Sequence, residues 1–223
     1  MNWKRFSLVA LVACAPAAVL AWAAQRDAPD EHRKGRQLAL YHTLSRTSDP
    51  VIVVGDSIVE ASSLPRSICG HPIVNAGLNG ASTASDLGSW LAPALAGKRA
   101  GLIVVALGVN DALQPGSQGK PDFEDRFGAL LTALSKLTPK LAVLAISPVE
   151  AQGQITDKMR DELMASVDAY NSILPDLAKR NGAAFVALPA MPRPHTIDGV
   201  HMNSDGDLVW DKAVMQAASM VCG

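Results

Sequence analysis

The sequence predicts an α/β protein, a three-layer α/β/α sandwich around a parallel sheet of five strands. Short apolar runs rich in Val, Ile or Ala recur at residues 51–54, 73–74, 102–107, 141–146 and 183–187. Continuous runs of this kind mark strands buried on both faces. Longer helix-like stretches separate them, as crossovers between parallel strands require. A helix is expected at 37–47, ahead of the first strand. Residues 51–54 end in Gly55-Asp56-Ser57, 73–74 lead into Asn75-Ala76-Gly77, and 102–107 lead into Gly108-Val109-Asn110-Asp111. The fourth and fifth strands follow at 141–146 and 183–187, and a last helix at 204–221 closes the chain.

In a parallel sheet, ligands bind beyond the carboxyl ends of the strands. Ser57, Gly77 and Asn110 each come directly after a strand, and Asp198 and His201 come after the last one. All five therefore fall on one edge of the sheet. A serine, a histidine and a carboxylate are the side chains for acyl transfer through a covalent serine intermediate. The hydroxyl needs a base in reach, and the base needs a group that fixes its tautomer.

The order Gly-Asp-Ser, Gly, Gly-x-Asn-Asp, Asp-x-x-His resembles the SGNH branch of the GDSL hydrolases, from about Pro50 to the C-terminus. Ile58 stands where many members have Leu, a packing position. The resemblance implies the SGNH hydrolase fold, with a flavodoxin-like sheet in the order 2-1-3-4-5, and names Ser57, Gly77, Asn110 and His201 as functional residues. Ser57 is then the nucleophile, His201 the base and Asp198 its orienter. The Ser57 and Gly77 N–H groups and the Asn110 amide are the oxyanion donors, each typically worth roughly 100- to 1,000-fold in turnover. Asp56 and Asp111 are expected to tie down loop backbone. His195, six positions before His201, has no Asp at the matching offset and is expected as a loop or pocket-rim residue.

Other motifs are incomplete. No Gly-x-Ser-x-Gly elbow surrounds Ser57. Gly77-Leu78-Asn79-Gly80 is a fragment of a dinucleotide fingerprint, and Gly119-Lys120 lacks the rest of a phosphate loop. No Cys or His cluster has zinc spacing. Neither metal nor cofactor is expected. A net charge of −1 with dispersed Lys and Arg indicates no nucleic acid. The expected partner is a small-molecule or carbohydrate ester.

Three segments are expected. Residues 1–24 are a leader, 25–48 a charged linker (25–36) with the leading helix, and 49–223 the SGNH hydrolase domain. Lys4 and Arg5 precede an apolar stretch from Phe6 to Ala24, and Ala21-Trp22-Ala23 resembles a cleavage site. A cleaved signal peptide and a retained membrane anchor both fit, with lipidation at Cys14 ranked third. All three place the domain outside the cytoplasm, and the leader is the only membrane signal. Cys69 precedes the second strand and Cys222 ends the last helix, so the expected topology brings both to the end opposite the site. A disulfide between them suits an oxidising compartment; two buried free thiols are the alternative. The loops at 112–121 and 188–197 are expected to set substrate choice. The reading is an exported serine esterase acting on short-chain or carbohydrate-borne esters. An O-acyltransferase with the same triad, or a non-catalytic cell-envelope accessory protein, is the alternative.

Overall fold

A computed structural model describes residues 15–114 and 120–222. The lipidation candidate Cys14, most of the leader, and 115–119 of the 112–121 loop lie outside these. Contacts divide the chain into two units, 1–36 and 37–223. The first holds the beginning of helix α1, Ala15–Leu44. Residues 25–36, expected as a linker, are thus helical. No helix among the described residues is long and apolar enough to cross a membrane.

The second unit is built on one sheet. Its strands are β1 (Val51–Gly55), β2 (Ser67–Ile68), β3 (His71–Gly77), β4 (Leu102–Ala106), β5 (Leu141–Leu144) and β6 (Ala183–Val186), in the order β2-β3-β1-β4-β5-β6. The five longer strands run parallel, in the register Val51↔Ile73, Val51↔Leu102, Ile103↔Leu141 and Leu141↔Ala183. They reproduce the expected 2-1-3-4-5 order. The sheet differs from expectation by a sixth strand, β2, antiparallel to β3 at its edge. Two residues joined by the Cys69-Gly70 turn are too short for a periodic signal. Strand β3 runs well beyond 73–74, because its polar Asn75 pairs with Val53 inside the sheet.

Helices surround the sheet: α2 (Ser57–Ala61), α3 (Leu87–Leu95), α4 (Val109–Leu113), α5 (Lys120–Ser135), α6 (Asp157–Asn171), α7 (Leu174–Arg180) and α8 (Ser204–Ala218). Strands β1 and β4 are almost wholly buried, and Leu87 and Leu91 of α3, Phe123, Phe127 and Leu131 of α5, and Leu174 of α7 join them in one core. Burying such a side chain contributes about 1.5–3 kcal/mol. The last helix stops at Ala218 and tightens into a 3₁₀ turn, Ser219–Cys222. That turn brings Cys222 to Cys69, and the two are joined by a disulfide with Cα atoms 5.7 Å apart.

Candidate active site

Ser57 is where it is because strand β1 turns directly into α2. Asp56 caps that helix, its Oδ1 accepting the Ile58 N–H at 2.9 Å. Ser57 opens the helix, so its own N–H belongs to the first turn, whose donors have no intrahelical partner. Its Oγ stands at the carboxyl edge of the sheet, 2.9 Å from His201 Nε2. On the other side of the ring, His201 Nδ1 lies 2.7 Å from Asp198 Oδ2. With Nδ1 donating to the carboxylate, Nε2 is left to accept the Ser57 hydroxyl proton.

Asp198 is held in turn by its own loop. Its Oδ1 accepts the N–H groups of Val200 at 3.0 Å and His201 at 2.8 Å. Burial pushes its carboxyl pKa up, but the bonds from the His201 side chain and from the His201 and Val200 amides outweigh this and hold it below the ordinary value. Gly199 between them has φ +99°, and a Cβ there would sit 2.6 Å from the Glu150 carbonyl oxygen. Only glycine fits that turn.

Asn110 lies in the first turn of α4. Its Nδ2 donates one hydrogen to Ala81 O at 2.8 Å, which fixes the amide plane and leaves the second hydrogen for another acceptor. Gly77 ends β3, and its N–H meets the Asn75 side-chain oxygen at 2.9 Å. An oxyanion at this amide would share it with that oxygen. The absence of Cβ at Gly77 has a packing cause as well, since a Cβ would lie 2.1 Å from Glu60 N in α2.

Asp111 is buried and accepts the Thr83 N–H at 3.0 Å on Oδ2 and the Thr83 hydroxyl at 2.5 Å on Oδ1. Arg126 of α5 completes the cluster, donating from Nε to Thr83 Oγ1 at 3.0 Å with its guanidinium 3.7 Å from Asp111. The brace joins α4, which carries Asn110, to the segment after β3. Arg126 and Thr83 escape sequence reading because neither sits in a motif. Asp56 is also buried, and burial pushes its carboxyl up to about 7, against the lowering effect of the Ile58 N–H and of His201.

His195 lies in the loop expected of it but is 97 % withdrawn from solvent (3 % exposed). It lines a cavity of about 600 Å³ together with Glu150, Arg160, Met164 and Met191. Ser57, Gly77, Asn110 and His201 do not contribute to those walls. Among the described residues no group of three His, Cys, Asp or Glu is placed to hold a metal ion.

The model of the GDSL-like lipase/acylhydrolase family matches residues 53–208. No curated protein matches the sequence. Among solved structures, one described as a platelet activating factor from Streptococcus pneumonia is similar with a TM-score of 0.69 at 20 % identity, over 89 % of this chain and 98 % of that one. A catalytic mutant of Axe2, an acetylxylan esterase from Geobacillus stearothermophilus, is similar with a TM-score of 0.59 at 16 % identity, over 77 % and 94 %. The acetyl xylan esterase AlAXEase follows with 0.57 at 18 % identity, over 75 % and 98 %.

Proposed function

The chain belongs to the GDSL-like lipase/acylhydrolase family and is a carboxylic ester hydrolase; from that premise we propose that it is an exported serine esterase for short-chain or carbohydrate-borne esters. The observation that carries the reading is the continuous contact from Ser57 Oγ through the His201 ring to Asp198.

Ser57 Oγ attacks the ester carbonyl while His201 Nε2 takes its proton, and the carbonyl π pair moves onto oxygen. The collapsing intermediate expels the alcohol, which receives the proton from His201. Water then attacks the acyl-Ser57 ester with the same base and releases the acid. The Ser57 N–H and the second Asn110 amide hydrogen donate to the oxyanion, and the Gly77 N–H joins them as a shared donor. Asp198 keeps Nδ1 protonated throughout.

Substrate choice is supported by exposure. The side chains of His201 and Asp198 are 38 % and 49 % exposed, so among the described residues nothing closes over these two. A small acyl group on a bulky alcohol suits such a site. The acetylxylan esterases among the structural neighbours support acetyl on a sugar. Export is supported by the basic residues and apolar stretch of the leader and by the Cys69–Cys222 disulfide.

The test is hydrolysis of p-nitrophenyl esters from acetyl to palmitoyl by the protein and its Ser57→Ala variant. Activity is expected to peak at acetyl or butyryl and to vanish in the variant. A Ser57-independent rate would sink the proposal. Repeating the assay with a sugar acceptor and analysing the products separates hydrolysis from acyl transfer.

A further inference from the structure

The base and its orienter sit on an eight-residue connection, 196–203, with little regular structure. Its only ladder is one bridge between Thr196 and Met202, with the Ile197 N–H donating to His201 O at 2.8 Å and the Asn203 N–H to His195 O at 2.9 Å. The Asp198 and His201 side chains are substantially exposed, so the burial of Val200 and Met202 beside them does not by itself hold them. Something else must, because a misplacement of 1 Å costs about 100-fold in rate.

We infer that Glu150 is the positioning residue for His201, its carboxylate fastening the loop of Asp198 and His201 to the segment that leaves β5. This rests on the esterase reading above. Glu150 Oε2 accepts the His195 N–H at 2.9 Å, the Thr196 N–H at 2.9 Å and the Thr196 hydroxyl at 2.7 Å. Its Oε1 stands 3.1 Å from His195 Nδ1. Four contacts from one carboxylate thus converge on the two residues where the loop begins.

The fastening continues along the backbone and is directed at the catalytic turn. The Glu150 N–H donates to Gly199 O at 2.8 Å, and Gly199 lies between Asp198 and His201. Two residues on, Gln152 Nε2 donates to Ile197 O at 3.0 Å. His195 anchors the other side, its Nε2 3.1 Å from Pro148 O and its Nδ1 3.0 Å from Pro192 O. Burial pushes the Glu150 carboxyl up, but the Thr196 hydroxyl, the backbone N–H groups of His195 and Thr196 and the His195 charge outweigh it and favour the ionised, accepting form. Charge-assisted bonds of this kind are roughly twice as strong as neutral ones.

The test compares Glu150→Ala, Glu150→Gln and Thr196→Val with the unaltered protein, by p-nitrophenyl acetate kinetics and by amide hydrogen exchange. In Glu150→Ala the Ile197 and Asn203 amides should lose protection while those of β4 keep theirs. Its kcat should fall about 10- to 100-fold with KM within about twofold. Glu150→Gln keeps an acceptor oxygen and should return kcat to within about fivefold; Thr196→Val should fall in between. Unchanged exchange at Ile197 and Asn203, or unchanged kcat despite a loosened loop, overturns the inference. So does a global loss of protection in Glu150→Ala if Glu150→Gln and Thr196→Val then leave the loop and kcat as they were. Should the unaltered protein hydrolyse no ester, the esterase reading fails by itself, and the exchange data alone decide whether Glu150 fastens the loop.

Discussion

Single side chains at the candidate site are held in place by their neighbours. Asn110 has one amide hydrogen tied to Ala81 O, so under the proposed mechanism the other would meet the oxyanion without reorganisation. Asn110→Ala is expected to lower kcat about 100- to 1,000-fold with little change in KM; steady-state kinetics on p-nitrophenyl acetate measures both, and an equal loss in KM would mean that the amide binds substrate instead. Asp56 makes a different prediction, about pH. Its carboxyl ionises near pH 4 in an unfolded chain and at about 7 in the fold. The folded state therefore keeps a proton that the unfolded state releases. This contribution is fully present below about pH 4 and is lost as pH rises through 7, at up to about 1.4 kcal/mol per unit. Asp56→Asn keeps an acceptor for the Ile58 N–H and carries no charge. Relative to the unaltered protein it should gain roughly 2 kcal/mol in urea denaturation between pH 5 and pH 8. Parallel stability profiles would show that burial at Asp56 does not govern its ionisation.

At the scale of elements, the site is three strand ends and one loop held in register by braces. The strand ends were legible: apolar runs announce β1 and β4, and each stops at a glycine-containing turn bearing a candidate site residue. The braces were not. The side chains of Thr83, Arg126 and Glu150 contact partners 15 to 46 residues away, and a single sequence carries no periodicity that links such positions. His195 was read from its spacing to His201 as a loop residue, but nothing local could reveal that Glu150 and Pro148 would bury it. The brace between α5 and α4 gives a prediction at this scale. Arg126→Met removes the donor to Thr83 and the charge facing Asp111, leaving a buried carboxylate with fewer partners. Stability should fall by about 1–3 kcal/mol, and kcat should fall with it as Asn110 loosens. A drop in thermal midpoint with unaltered kcat would confine the brace to stability.

Over the whole molecule, the parallel order of the five long strands followed from pattern and resemblance, whereas the β2 edge did not, because a two-residue strand exists only through its turn. That turn is where the chain is closed. Cys69 sits at φ +48° between β2 and β3, and its disulfide to Cys222 spans 153 residues of sequence. It joins the edge hairpin to the turn after α8, the helix packed on β4, β5 and β6, and its covalent loop contains Gly77, Asn110, Asp198 and His201 but not Ser57. Cross-linking of this kind acts mainly by restricting the unfolded chain, and loss of a native disulfide typically costs about 2–5 kcal/mol. Neither cysteine touches Ser57, His201 or Asp198 in any hydrogen bond described above, so stability and chemistry should separate. The paired variant Cys69→Ser with Cys222→Ser is expected to unfold at lower urea concentration, by about that amount, while its kcat at 25 °C stays within about twofold of the unaltered protein. Treatment of the unaltered protein with a reductant should reproduce the shift and leave the variant unmoved. If the variant and the oxidised protein unfold together, the cross-link adds nothing to the stability of the fold.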